Sequence, residues 1–259
     1  MRVPATSLSH LEFDLLWEHL GFTEQPYPLA VPSFGETADE RAALRDQVRH
    51  SLRDKGLHDG AEVAPALEQQ LAVLGRHTFS VDGRLSVGEP LRVLAASDGA
   101  RGVLAAQSDH EVKLAWVREA RLVPAVIALL PDRAPGPGGT ARLPKEVFDA
   151  AVDEFAAGGY VGLERALTNG GVTGRDLRTV VTLLESPRAG GGQLAVNSVD
   201  AVGRRARTPV LNWFDTEPGR YLVHSEVTGD RVEWLTIAPA DTARIEQRLS
   251  AMAASLNHP

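Results

Sequence analysis

Cysteine is absent from the chain, which removes disulfides and thiolate metal ligands from consideration. Lysine is nearly absent too: Lys55, Lys113 and Lys145 are the three copies, and arginine carries the remaining positive charge. Long apolar runs are also missing. The longest, 123–130, is interrupted by Pro124 and falls far short of the roughly 20 residues that cross a bilayer, so membrane insertion is not expected. The opening MRVPATSLSH lacks the apolar core of a secretory signal, which makes the cytoplasm the expected compartment. Acidic residues outnumber basic ones, 34 to 27, for a net charge of −7, and that sign opposes nucleic-acid binding.

What is present is ordinary globular composition, 43% hydrophobic and 24% charged. The 259 residues suffice for one large domain or two intimately packed halves. Leu8, Leu11, Leu15, Leu16 and Leu20 recur at helical spacing, so 8–20 is expected to form a helix closed by Gly21. A proline-rich connector, TEQPYPLAVPSFG, should be extended. TADE then offers a capping box, Thr37 with Glu40, before a helix with its buried line at Leu44, Val48 and Leu52. A shorter helix is expected over 63–74. Apolar-rich segments at 76–81, 91–97, 102–107, 112–117 and 122–130 follow as a meander, with DG pairs at 82–83 and 98–99 as tight hairpin turns.

PDRAPGPGGTARLP, 131–144, has the composition of a linker. Beyond it the order restarts. Val147, Phe148, Ala151, Val152 and Phe155 mark a helix ended by Gly158 and Gly159; Tyr160, Leu163 and Leu167 mark another. TGRD, 173–176, is a second potential capping box before a helix that Pro187 stops. Strands are expected at 192–200, 204–214, 219–227 and 231–237, then a final helix capped by Asp241 with its stripe at Ile245, Leu249, Met252 and Leu256. Helices followed by an antiparallel meander thus occur twice, over 36–130 and 144–237. That pattern predicts an α+β protein of two similar lobes.

Catalytic signatures fail on inspection. PRAGGGQL, the most conspicuous glycine run, has no lysine and follows a helix into a strand, the reverse of a phosphate-binding loop. Its glycines are expected to act as a hinge between helices and sheet. GPGG, 136–139, opens no βαβ unit. The histidines at 10, 19, 50, 58, 77, 110, 224 and 258 form no H-x-x-x-H or H-x-H pair, so neither a metal nor another cofactor is expected. No G-x-S-x-G elbow is present, and no catalytic residue is assigned. His10 with Asp14 is expected to be at most a surface ion pair; Glu18 with His19, and Asp215 with His224, lack distinctive spacing as dyads.

Three stretches suggest contacts instead. Arg41, Arg45, Arg49 and Arg53 line one helix face, either solvated or facing an acidic partner. RRAR, 204–207, has the look of a charged sheet edge. LNWFDTEPGRY, 211–221, contains a hairpin connection over 215–219 between strands that carry Trp213 and Tyr221, with Trp234 on the next strand. Rings on an outer strand face would be anchors of the kind found at interaction hot spots.

EFDLLWEHLGFTEQPYPLAVPS and TADERAALR near the start, SPRAGGGQ in the middle, and WFDTEPGRYL and TIAPAD near the end occur in an order that resembles the EspG family, the ESX (type VII) secretion-associated chaperones of actinobacteria. The resemblance runs from about residue 10 to 250. It implies a quasi-two-fold α+β fold with a central antiparallel β-sheet flanked by helices and a C-terminal helical bundle. It also implies a cytosolic, non-enzymatic chaperone that holds the apolar tip of a PPE protein in a PE–PPE heterodimer and keeps it soluble before export. Carried onto this sequence, the partner-binding positions are Gln193, Arg205, Arg207, Asn212, Trp213, Tyr221 and Trp234. Homodimerisation of the cargo-free protein is a further expectation. The alternative is a small-molecule binding protein or cryptic hydrolase using a cavity between the lobes.

Overall fold

A computed structural model describes residues 5–229 and 231–257; His258, one of the eight histidines, lies outside them. The elements are β1 (Thr6–Ser9), α1 (His10–His19), α2 (Ala38–Asp54), α3 (Pro65–Arg76), β2 (Phe79–Val87), β3 (Glu89–Ser97), β4 (Gly102–Gln107), β5 (Glu111–Val117), α4 (Leu122–Ile127) and β6 (Ala141–Pro144). They continue with α5 (Lys145–Asn169), α6 (Gly174–Glu185), β7 (Arg188–Val199), β8 (Arg205–Arg207), β9 (Leu211–Thr216), β10 (Gly219–Val227), β11 (Glu233–Pro239) and α7 (Thr242–Asn257). The fold is α+β: a large antiparallel sheet in the order β1-β5-β4-β3-β2-β7-β9-β10-β11-β6, with β8 paired to β7 off this path and helices flanking it.

The chain divides into two compact units. The first comprises the chain up to Arg84, Glu89–Leu129 and Val196–Ala206; the second comprises Leu85–Gly88, Leu130–Ala195 and the chain from Arg207 on. β2 and β7 each supply one part to each unit.

In the first unit, α1 starts at a capping box that the leucine spacing hides. The Ser9 hydroxyl accepts from Glu12 N at 3.2 Å, and the Glu12 carboxylate accepts from Ser9 N at 2.7 Å. The same carboxylate accepts from Lys55 Nζ and Ser51 Oγ, each at 2.6 Å, and so ties α1 to α2. Thr37 and Glu40 form the expected box on α2. Phe13, Leu16 and Trp17 then pack with Val48 and Leu52 of α2, Leu67, Leu71 and Leu74 of α3, and Leu94, Val103 and Leu114 of the strands.

Two local expectations fail here. Asp82 and Gly83 lie inside β2; the chain turns instead at Gly88, φ +95°. The segment 122–130 opens as α4 rather than a strand. A short apolar run does not distinguish the two by periodicity, and Pro124 is tolerated because first-turn N–H groups have no intrahelical partner. The second DG pair does sit in a hairpin connection, with Gly99 at φ +90° and Asp98 Oδ1 accepting from Ala100 N and Arg101 N.

In the second unit the linker is fastened to the sheet. Gly136 N donates to Arg220 O and Arg220 N to Ala134 O, both at 2.9 Å, and residues 141–144 form strand β6 against β11. α5 is two helices: Gly159, φ 60° and ψ −153°, reverses the chain between them. Arg165 pairs with Glu154 at 3.0 Å across the resulting hairpin, and Gly170 abuts Val147. Leu163, Leu167, Val180 and Leu183 bury against Leu143, Val223, Leu235 and Ile237 of the sheet. Thr173 makes no capping bond on α6, contrary to expectation. Gly174 enters that helix at φ +59°, and Asp176 is one methylene shorter than the glutamate a box uses. Asp241 does cap α7, accepting from Arg244 N at 2.8 Å.

The glycine run is not a hinge. Gly190, Gly191 and Gly192 are inside β7, which begins at Arg188 and pairs with β9 through a register shift between Arg188 and Gly190.

Candidate partner-binding surface

Register decides where the expected contact residues fall. Gln193 is opposite Asn212, and Asn212 opposite Val223, so these share the face on which α5 and α6 pack. Gln193 is exposed and Asn212 half-buried at that position. Tyr221, opposite Phe214, is on the same face but fully buried; its hydroxyl donates to Pro137 O at 2.8 Å, and burial raises its pKa. Trp213, opposite Gly192 and Leu222, is on the other face, also fully buried. Trp213 and Tyr221 are therefore core residues of this chain rather than exposed anchors.

Trp234 is half-buried on β11, with the Arg142 guanidinium 4.9 Å from its ring and Arg142 bound to Glu226 at 3.1 Å. Arg205 and Arg207 are exposed on the short β8 beside β7. The seven positions thus do not form one patch. They divide among two sheet faces, a core and a short outlying strand.

The dyads also resolve otherwise. Asp215 pairs with Arg220, Nε to Oδ1 at 2.6 Å and Nη2 to Oδ2 at 2.9 Å, in the near-complete absence of solvent. Arg220 additionally donates to Pro131 O at 2.7 Å and Thr242 Oγ1 at 2.9 Å, and lies 4.7 Å from the Trp213 ring. Asp215 consequently makes no turn-closing bond, and the hairpin is the tighter Glu217-Pro218 pair between Thr216 and Gly219. His10 contacts Ser108 O, while Asp14 accepts from Phe34 N and Arg41. Glu18 accepts from Arg41 and Arg45. Arg49 pairs with Asp46, and Arg53 donates to Gly60 O. The arginine stripe of α2 is thereby occupied within the chain. Among the described residues no cluster of three or more His, Asp or Glu is arranged to hold a metal.

A more telling surface lies where the sequence reading placed a buried stripe. At the tip of the α5 hairpin Val152, Phe155, Tyr160 and Val161 are exposed by 41, 39, 44 and 78%. The Phe155 and Tyr160 rings meet at 4.9 Å across the Gly158-Gly159 turn. Solvent-facing aromatic and branched side chains grouped this way differ from the singly scattered apolar residues of an ordinary surface.

Two half-buried histidines give the chain a pH dependence. Burial lowers the pKa of His77, partly offset by its bond to Leu74 O; burial and then the Arg248 charge lower that of His224. The unfolded chain therefore takes protons first, and stability falls as pH drops below the unfolded value of about 6.5. Glu12 acts lower in the range. Burial raises its pKa, but Lys55, Ser51 and the Ser9 N–H outweigh that and leave it lowered. Its contribution is present above the unfolded carboxylate value and lost as pH falls through the folded one. Urea midpoints should decline from pH 7 to 5, and His77→Gln with His224→Gln should flatten that limb while leaving the more acidic loss intact.

Fold and surface together define a class. Over 97% of this chain and 96% of the other, with a TM-score of 0.76 at 14% identity, the architecture is similar to that of the Mycobacterium tuberculosis type VII secretion system chaperone EspG5, solved in complex with a PE25-PPE41 dimer. The chain has the fold of that secretion chaperone. A family match spans residues 9–251, and the chain belongs to the EspG family. No curated protein matches it. Among the described residues no helix is long and apolar enough to cross a membrane.

Proposed function

We propose that this chain is a cytoplasmic, non-enzymatic chaperone of type VII secretion that binds the PPE subunit of a PE–PPE heterodimer at its apolar tip and keeps it soluble before export. The observation that carries this reading is the exposed apolar tip of the α5 hairpin on a chain of this family. Such a tip costs solubility unless a partner covers it, and a partner that itself presents an apolar end gains by the same contact. Gln193 and Asn212, exposed and half-buried on the sheet face against which α5 and α6 pack, are the expected positions that remain open to polar contact with such a partner.

Co-expression with the PE–PPE pair tests the proposal. A soluble complex holding one copy of each chain is expected, and a PPE protein that stays insoluble and never co-purifies would overturn it. Phe155→Asp with Val161→Asp alters exposed residues and should leave the fold intact. Burying charge at the interface centre should weaken cargo binding by roughly 100-fold or more.

A further inference from the structure

A second site lies between the linker and α6. A cavity of about 330 Å3 is lined by Gly138, Gly139, Arg175, Arg178, Thr179 and Thr182, with Pro137 at its margin. The four α6 residues recur at helical spacing and present one face to the glycine loop. Arg175 and Arg178 are both exposed, and among the described residues neither has an acidic partner within ion-pair distance.

Thr179 supplies the second observation. The residue is 94% buried, and among the described residues its hydroxyl has no hydrogen-bond partner within the chain, unlike those of Thr168 and Ser186, so the oxygen is left to solvent or to a ligand. That hydroxyl faces the loop, 3.5 Å from where a Cβ on Gly138 would stand. The loop is shaped to the same purpose. Gly138 has φ +97°, and a Cβ on Gly139 would lie 2.9 Å from Arg175 Nε, so the guanidinium rests directly on bare backbone. Unpaired guanidiniums, hydroxyl donors and an approachable glycine backbone are the chemistry of oxyanion recognition.

We propose that this cavity binds a phosphate group, free or as the head of a small monoester. Arg175 and Arg178 provide the charge, Thr179 and Thr182 donate hydroxyl hydrogen bonds, and glycine at 138 and 139 leaves room for the oxygens. GPGG opens no βαβ unit here either; the site is built from one helix face and a loop, and no reaction is attached to it.

Titration of the full chain with inorganic phosphate, followed by amide chemical shifts at constant ionic strength, tests this. Saturable shifts centred on 138–139 and 175–182 are expected. Arg175→Gln with Arg178→Gln, both exposed, should weaken binding at least about tenfold by removing charge-assisted bonds. Thr179→Val keeps the buried shape and should weaken it several-fold with the unfolding midpoint unchanged. Glycerol 3-phosphate distinguishes the sources: tighter binding than phosphate identifies a monoester site, and equal or weaker binding a site for the free ion. Non-saturating shifts, or saturable binding that the arginine pair substitution leaves unchanged, would overturn the proposal. Cargo capture is read separately, so either reading fails without the other.

Discussion

Arg220→Ala is expected to lower the unfolding free energy by about 3–5 kcal/mol, the cost of leaving one member of a buried ion pair uncompensated. Arg220 has no exposed surface and Asp215 has 2%. Deleting the guanidinium strands the Asp215 carboxylate and also removes a donor from Pro131 O and from Thr242 Oγ1. One side chain thus connects the β9–β10 hairpin, the start of the linker and the first turn of α7. The pair itself need not be a net gain, because desolvation offsets its attraction. That distinction is measurable: Asp215→Leu with Arg220→Met should recover much of the stability that Arg220→Ala loses. Urea unfolding of the three proteins decides it, and a loss under about 1 kcal/mol for Arg220→Ala would refute the buried-charge argument.

The sequence signalled the arginine poorly and the helix limits well, for related reasons. Caps act over three or four residues, so Thr37 with Glu40 and the stop at Pro187 could be read in place. The partner of Asp215 is five residues away across a turn, and His224, the candidate considered first, is at a different register on the strand. Alternation alone left the faces of Trp213 and Tyr221 open, because a one-residue shift of register exchanges them. Nor does it report what packs on each face: the linker meets the Tyr221 hydroxyl at Pro137 and the Arg220 guanidinium covers the Trp213 ring, so both rings are core instead of contact surface. The α5 tip escaped for the converse reason: an apolar residue on a helix is taken as buried until some neighbour is known to be missing. Glycine is ambiguous in the same way. At Gly88 and Gly99 it supplies a positive φ that the local chain requires; in β7 it is needed because of backbone from other strands, which no window around 190 contains.

That difference makes the glycine run the second large expected effect. Gly190 and Gly191 have no positive φ, so alanine is conformationally acceptable at either, and the obstacle is space alone. A Cβ on Gly190 would lie 2.7 Å from Ser86 O, and one on Gly191 2.8 Å from Trp213 O. Both obstructions are backbone carbonyls, which yield only if strands move apart. Each alanine should therefore destabilise the chain by about 1–3 kcal/mol, the range for overpacking, with Gly190→Ala further disturbing the adjacent register shift. Gly158→Ala, whose Cβ meets nothing within 4 Å, provides the comparison and should stay within about 0.5 kcal/mol. Equal urea midpoints for Gly191→Ala and Gly158→Ala would refute the steric account. The consequence reaches the partner surface, because the pairing that seats Gly191 on Phe214 also sets Gln193 opposite Asn212. A β7 forced off β9 would lose that register, and cargo affinity should fall in step with stability for Gly191→Ala, while Gly158→Ala keeps its stability.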